Sequence, residues 1–199
     1  MLKNPIPKVT NQLQHRAIGI INVKFIPLSN GQLNRGFLID NKDEKIETVV
    51  LGKALSLLKK HIDLKKSYYW IVYPKNKNTQ NLHLQVAGIW DPYQLNDFPN
   101  DSSKTKFSKL LEELDLKDNY FYVRGELVFV NNQKKELVIK ICSVSKLKNL
   151  KNKNFKLAIK GELSLELLNS FVSLDINRDG NALKLIRYEV IERDVSLKN

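Results

Sequence analysis

Apolar and polar residues alternate along most of the chain, with the period of two that is typical of half-buried β-strands. In the first third, this pattern predicts strands over residues 16–27, 35–40 and 46–51. Pro27 closes the first strand, and Ser29-Asn30-Gly31 indicates the turn that follows it. Further strands are predicted over residues 67–73, 82–90, 120–130, 136–144, 155–163, 171–176 and 182–191.

The period changes to that of an α-helix at two places. Leu51, Leu55, Leu58 and Ile62 share one helical face, which predicts a helix at about residues 52–64. The apolar residues Phe107, Leu110, Leu111 and Leu114 then predict a short linker helix at about residues 104–115.

The order of three strands, a helix and two strands matches the oligonucleotide/oligosaccharide-binding barrel, the OB-fold. We therefore predict a mainly β protein with two small OB-like β-barrels in tandem. The predicted domains are a flexible N-terminal arm (1–15), a first OB-like barrel (16–92), a linker (93–119) and a second β-barrel, OB-like (120–199). In the second half, the basic stretch 146–153 is placed where the first half has its helix. A single larger sandwich or barrel is the alternative.

Three segments resemble an uncharacterised family of cyanobacterial hypothetical proteins. They are Asn34-Arg35-Gly36-Phe37-Leu38-Ile39, Val50-Leu51-Gly52-Lys53-Ala54-Leu55-Ser56-Leu57 and Trp70-Ile71-Val72-Tyr73-Pro74. The resemblance extends over most of the chain and implies a photosynthetic prokaryotic source. It implies no activity, because the family has no assigned function.

The charge balance favours anionic partners. The 199 residues carry a formal net charge of +12, with 33 Lys and Arg against 21 Asp and Glu. Only six of the basic residues are Arg, the side chain best suited to bidentate phosphate and base recognition. An AT-rich genome would also enrich Lys without any selection for binding. We therefore discount the net charge by about half as evidence for nucleic-acid binding.

The chain lacks the motifs of common catalytic and metal sites. His15, His61 and His83 are far apart in sequence, and the single cysteine, Cys142, has no histidine beside it. We therefore predict no catalytic residues, no metal, no cofactor and no enzymatic activity. The sequence has no secretory signal pattern and no apolar run long enough to span a membrane, so we predict a cytoplasmic protein without membrane association.

Aromatic and basic residues interleaved on strands are the strongest functional feature. Alternation places Tyr69, Ile71 and Tyr73 on one face of a strand, and Tyr68, Trp70 and Val72 on the other. One set packs inside, and the other can stack on nucleobases beside cationic groups. Packing of the whole aromatic cluster in a core or interface remains the alternative.

These patterns predict a non-catalytic module that binds single-stranded nucleic acid, RNA or DNA. The alternative is a protein–protein adaptor or assembly factor, with a protein partner or a homodimer. The predicted nucleic-acid-binding residues are Arg35, Lys65, Lys66, Tyr69, Trp70, Tyr73, Lys75, Lys77, Tyr122, Arg124, Lys146, Lys148, Lys151 and Lys153.

Overall fold

The protein is described by a computed structural model. The structure describes residues 4–29, 31–76, 81–91, 103–143 and 153–193, without the side chains of residues 103–107, 143 and 153. The chain divides into two compact units. The first is drawn from residues 1–7, 19–73 and 84–120. The second is drawn from residues 8–18, 74–83 and 121–199. The fold is mainly β, as predicted.

Five strands, most of whose residues belong to the first unit, form a closed barrel. Its strands are β1 (Arg16–Pro27), β2 (Arg35–Ile39), β3 (Lys45–Val50), β4 (Tyr68–Asn76) and β5 (Leu82–Trp90), with helix α1 (Gly52–His61) between β3 and β4. The strands pair in the order β2-β3-β5-β4-β1, and a further pairing of β2 with β1 closes the barrel. The β3–β5 pairing is parallel, with Thr48 opposite Leu84. This is the strand order of an OB-fold.

Helix α1 ends three residues before its predicted boundary. Its buried residues are Ala54 and Leu58. Of the predicted apolar face, Leu58 is therefore buried, Leu55 and Ile62 are half-buried, and Leu51 is exposed. Asp63 then accepts a hydrogen bond from the backbone N–H of Lys65 at 3.0 Å and forms a local turn. Such aspartate turns compete with helix hydrogen bonds, so the chain leaves the helix after His61.

A second helix, α2 (Ser103–Glu113), packs outside the first barrel. It ends two residues before the predicted boundary, because Asp115 adopts a positive φ of 46°. The backbone N–H of Leu116 then bonds the carbonyl of Leu111 at 2.9 Å, which closes the helix end. Leu110 of α2 forms a hydrophobic cluster with Ile20 and Trp90.

The second unit repeats the barrel. Its strands are β6 (Tyr120–Asn131), β7 (Glu136–Ser143), β8 (Lys153–Lys160), β9 (Phe171–Asp179) and β10 (Ala182–Glu192). They pair in the order β6-β7-β8-β10-β9, a further β6–β9 pairing closes the barrel, and the β8–β10 contact is parallel. Two OB-folds in tandem are therefore confirmed, and the single larger barrel is excluded.

The predicted position of the basic stretch was wrong. The third strand of the second barrel is β8, which begins at Lys153, so residues 146–152 precede it. The helix position between the third and fourth strands holds a single 3₁₀ turn, Leu165–Leu167, with Leu167 buried. Residues 146–152 themselves lie outside the described residues.

Residues of the predicted arm belong to both compact units. Residues 8–18 group with the second unit. There the Arg124 guanidinium donates to the backbone carbonyl of Gln12 at 2.5 Å, and His15 contacts the Phe171 ring edge-on with centroids 5.0 Å apart. Burial lowers the pKa of His15, so its ring is held mainly neutral. The predicted domain boundaries, including a flexible arm at 1–15, stay predictions.

Candidate nucleic-acid interface

Three strands of the second barrel form an outer face with an apolar centre. Here β6, β7 and β8 are joined by antiparallel pairings, and Phe129, Val138 and Ala158 lie opposite one another across them. Phe129 is 45% exposed, whereas Leu127, two residues earlier, is fully buried. A register shift between these two residues, a β-bulge, turns Phe129 outward. We call this the three-strand face of the second barrel.

This face borders a groove of about 790 Å³. We call it the lysine groove, after Lys134, Lys156 and Lys160 in its lining. Phe129, Val138 and Ala158 supply apolar surface on the same side. An aromatic ring beside several ammonium groups is the combination that binds single-stranded nucleic acid.

The lysines of the groove differ in how far their charge is neutralised. The Nζ atom of Lys160 lies 2.7 Å from a carboxylate oxygen of Glu136. Among the described residues, neither Lys134 nor Lys156 forms an ion pair within 4.0 Å, and both are exposed. These two ammonium groups are therefore available to an external anion.

Lys75 lies beside a second aromatic ring of the same unit. Its Nζ atom is 3.0 Å from the centroid of the Phe155 ring, a cation–π arrangement. Burial lowers the pKa of Lys75 to about 8, so its charge changes near physiological pH. The next residue, Asn76, lines the lysine groove and accepts a hydrogen bond from the backbone N–H of Ala158 at 2.9 Å. Lys75 therefore borders the groove without lining it.

The first barrel has the corresponding face on β1, β2 and β3. Phe37 lies opposite Ile26 on one side and Glu47 on the other. Arg35, a predicted binding residue, is exposed on the same strand and has the same parity as Phe37. Two residues further along β2, Ile39 lies opposite Lys24 of β1 and Lys45 of β3, both of which are exposed. This three-strand face of the first barrel thus combines an aromatic ring with three cations.

Trp70 was wrongly predicted as a stacking residue. Its side chain is fully buried, and its indole N–H donates to the backbone carbonyl of Val23 at 2.8 Å. The Phe25 ring lies 6.1 Å away, centroid to centroid. The set that points inward is Tyr68, Trp70 and Val72. For this set, the core-packing alternative is confirmed.

The outward set on β4 is partly covered. Tyr69 contacts the Trp90 ring edge-on at 6.2 Å and packs, with Ile71, against the cluster that contains Leu110 of α2. Burial raises the pKa of the Tyr69 hydroxyl, with a smaller contribution from the charge of Asp118. Tyr73 is 39% exposed. Tyr69 therefore contributes mainly to packing, and only Tyr73 presents its ring to solvent.

Arg124 and Tyr122 do not form the predicted basic and aromatic surface. Arg124 is 3% exposed, and its guanidinium lies 5.7 Å from the Phe171 ring in addition to its bond to Gln12. The binding role predicted for Arg124 was therefore wrong, because a buried guanidinium cannot reach an external phosphate. Tyr122 accepts a hydrogen bond from Ser173 at 3.1 Å. It borders a recess lined by two carboxylates and one arginine, an unfavourable setting for phosphate.

The remaining predicted lysines are only partly described. Lys65 and Lys66 are exposed in the turn before β4, and Lys66 lies 4.0 Å from Asp63. Lys153 begins β8. Lys77, Lys146, Lys148 and Lys151 lie outside the described residues. Their roles stay predictions, and no predicted residue whose side chain is described lines the lysine groove.

Strand alternation in the sequence correctly places two lysines of the groove on the outer side of the sheet, but it misplaces Phe129. Lys156 and Lys160 alternate with the buried Leu157 and Ile159, so strand parity places them outside. Phe129 has the same parity as the buried Leu127, and only the bulge reverses it. Strict alternation would place this ring in the core.

Two searches of the described residues gave no candidates. No group of three or more His, Cys, Asp or Glu side chains is arranged to hold a metal ion. Neither described α-helix has the length and apolar character that crossing a membrane requires.

Comparisons with protein families identify both barrels. Residues 17–97 match a family model described as "PatR RNA-binding protein, N-terminal OB-fold domain". Residues 123–192 match a second model, described as "Cyanobacterial OB-fold-like RNA-binding domain, C-terminal". No curated protein matches the chain. The matches confirm the OB-folds, the cyanobacterial family setting and the binding of nucleic acid, with RNA as the partner.

Proposed function

We propose that this chain, whose two barrels match family models of OB-fold RNA-binding domains, binds single-stranded RNA along the three-strand face of each barrel. The observation that carries the proposal is the lysine groove, where an exposed Phe129 ring lies among Lys134, Lys156 and Lys160. OB-folds of known function bind oligonucleotides on the face of their second and third strands. In the two barrels, those strands are β2 with β3 and β7 with β8.

The chemistry of the groove favours unpaired bases. A ring that is 45% exposed offers its face to a base only when that base is not stacked within a duplex. The ammonium groups of Lys134 and Lys156 then neutralise the phosphates on either side of the stacked base. Such a site is tolerant of sequence, because every base has an aromatic face.

The first barrel supplies a smaller version of the same surface. Phe37 is its aromatic centre, and Arg35, Lys24 and Lys45 are its cations. Its ring is only half-buried and has Glu47 opposite. We propose that this face contributes less to affinity than the lysine groove does.

We further propose that the protein binds RNA without transforming it. The names of both matched domains specify binding, and the proposed contacts use a ring and ammonium groups, none of which needs to act as an acid, base or nucleophile. Incubation of labelled RNA with the protein, followed by gel analysis, should return RNA of unchanged length.

The test compares two exposed aromatic residues on strands. Phe129→Ala removes the ring of the lysine groove, whereas Tyr73→Ala removes a ring of similar exposure from β4, which is a strand of neither three-strand face. Fluorescence anisotropy with single-stranded RNA, single-stranded DNA and duplex RNA measures the affinity. We expect Phe129→Ala to weaken RNA binding by about 5- to 150-fold, the equivalent of about 1–3 kcal/mol per stacked base. Tyr73→Ala should leave the affinity within about twofold.

The outcomes separate the competing interpretations. A larger loss in Tyr73→Ala than in Phe129→Ala would favour the sequence-based site on β4 over the lysine groove. Preference for duplex RNA would contradict stacking on an unpaired base. Absence of RNA binding at low salt would favour the adaptor alternative.

A further inference from the structure

Along one edge, strand β10 extends beyond the neighbouring strand that the structure describes. Along the opposite edge it pairs with β9 from Ala182 to Glu192. Along the first edge, its described pairing with β8 is limited to Lys184 opposite Lys160. Beyond Lys184, no described strand continues the sheet on that edge. Open strand edges are templates for pairing with another chain.

The open part of β10 also carries exposed apolar side chains. Ile186 is 64% exposed and Tyr188 is 47% exposed, the largest values for apolar residues on the strands of this barrel that the structure describes. Both lie on the part of β10 beyond Lys184, so a strand added to this edge would lie beside both. Arg187 and Glu189 alternate with them and are exposed as well.

The open part of β10 is complementary to its own reverse. Residues 186–190 read Ile-Arg-Tyr-Glu-Val. Reversal about the central Tyr188 exchanges Arg187 with Glu189 and Ile186 with Val190. We infer that β10 pairs with β10 of a second copy of this chain, antiparallel and centred on Tyr188.

This pairing places complementary side chains opposite each other. Arg187 faces Glu189 of the second copy, and Glu189 faces its Arg187, so two opposite-charge pairs flank the axis. Tyr188 faces its own equivalent, and Ile186 faces Val190. The Arg187 guanidinium is held at the strand by Asp175, 2.6 Å away, which fixes its position before a partner arrives.

Two other occupants of the edge fit less well. A parallel copy in register would place Arg187 against Arg187 and Glu189 against Glu189, and like charges directly opposite are destabilising. RNA is disfavoured because Asp175 and Glu189 line the adjoining recess. Beyond Leu185, the pairing of β10 with β9 is regular over residues 187–190, between two register shifts, and these residues lie nearest the axis.

The first test is the mass of the full chain in solution. Sedimentation equilibrium should give twice 23.0 kDa as concentration rises. Arg187→Glu alone, and Glu189→Arg alone, place like charges at both flanking pairs and should shift the chain to the monomer. The double variant with both exchanges restores opposite charges and should restore the dimer. Ile186→Lys places an ammonium group in the paired region and should also favour the monomer, whereas Leu165→Lys, at a residue 61% exposed outside β10, is its matched surface control.

The second test is a cross-link in a Cys142→Ser background. Residues opposite each other in an antiparallel pair have Cα atoms about 4.5–5.5 Å apart, within the range that a disulfide spans. Tyr188→Cys should therefore form a disulfide-linked dimer under mild oxidation. Ile186→Cys should not, because Val190, rather than its own equivalent, lies opposite.

Each outcome decides the inference. Circular dichroism first establishes that every variant is folded. A wild-type chain that stays monomeric up to its solubility limit would overturn the pairing. So would a dimer that persists in both single charge variants, or a folded double exchange that stays monomeric, since either result assigns dimerisation to another surface. RNA affinity is measured separately on Phe129→Ala, so failure of either proposal leaves the other standing.

Discussion

The two barrels have the same strand order but differ in which of their aromatic residues are accessible. In the first barrel, Tyr69 lies outside the sheet and is covered by the cluster that includes Leu110 of α2. In the second, Phe129 lies outside the sheet and borders an open groove. The aromatic side chain alone does not distinguish these positions. Elements packed outside the barrel decide which rings remain free to bind a ligand.

The two barrels also differ in the segment that connects their third and fourth strands. The first barrel fills this position with the ten residues of α1, which buries Ala54 and Leu58. The second uses the 3₁₀ turn Leu165–Leu167, which buries Leu167 and leaves Leu165 exposed. The barrel topology therefore tolerates a large change in its connecting helix, because strand pairing rather than that helix closes the sheet.

The largest effect should come from the buried ring of the first barrel. Trp70→Ala removes a fully buried side chain and its hydrogen bond to Val23, so we expect a loss of about 3–5 kcal/mol in the free energy of unfolding. Urea denaturation measures the loss. Tyr73→Ala, on the same strand but exposed, should change stability by less than about 0.5 kcal/mol. A folded Trp70→Ala chain of unchanged stability that has lost RNA binding would restore the stacking interpretation of Trp70.

In each barrel, a glycine lies where the backbone of a neighbouring strand comes very close. Replacing these two glycines tests whether both barrels depend on this close approach. A Cβ atom at Gly36 would overlap the carbonyl oxygen of Ile26, and one at Gly125 would overlap that of Lys140. Gly36→Ala and Gly125→Ala should each destabilise their barrel by about 1–3 kcal/mol or more. Gly52→Ala is the control, because no atom lies within 4 Å of its Cβ position, and it should stabilise α1 by about 0.5–1 kcal/mol. Thermal unfolding that is unchanged in Gly125→Ala would show that the second barrel is closed more loosely than the first.

Charge contacts with RNA should also distinguish the barrels. Lys134→Gln combined with Lys156→Gln removes two exposed cations of the lysine groove. The slope of log affinity against log salt concentration should fall by about 0.7 per lysine for single-stranded RNA. Lys65→Gln combined with Lys66→Gln removes the same charge from the first unit and should leave that slope unchanged. Equal slopes for the two double variants would indicate binding by net charge alone.

The smallest effect concerns the pH dependence of Lys75. Because burial lowers the pKa of Lys75 in the folded state to about 8, against 10.5 for the exposed group, the unfolded chain binds more protons between these values. Stability should therefore rise with pH from about 8 towards 10. Three other groups have raised pKa values: Tyr69, Lys135 and Lys140. Because their ordinary pKa values are already 10 or above, they affect stability only near or above pH 10.

Replacement of Lys75 isolates its contribution. Urea unfolding at pH 7 and pH 9 should show a smaller pH dependence in Lys75→Met than in the natural chain. Lys66→Met, at an exposed lysine of the first unit, is the matched control and should behave like the natural chain. An identical pH dependence in Lys75→Met would contradict the burial of the Lys75 ammonium against Phe155.

The sequence predicted most of the fold and little of the candidate site. Alternating patterns located the ten strands that the structure describes, and the helical spacing of Leu51, Leu55 and Leu58 located α1. Both helix ends were missed by two or three residues, because the turn at Asp63 and the positive φ of Asp115 depend on local hydrogen bonds that periodicity does not register. Arg35 was placed on a three-strand face, whereas Arg124 and Trp70 proved to be buried.

By itself, the sequence determined the number and order of strands, the tandem repeat and the excess of positive charge, because these depend on local periodicity and composition. Only the tertiary structure decided which face of each strand is inside, which outer ring α2 covers and which lysines lie beside Phe129. A bulge reversed the parity of Phe129, and packing covered Tyr69. Accessibility depends on residues that are distant in sequence, so a local pattern identifies candidate side chains but not those that reach solvent.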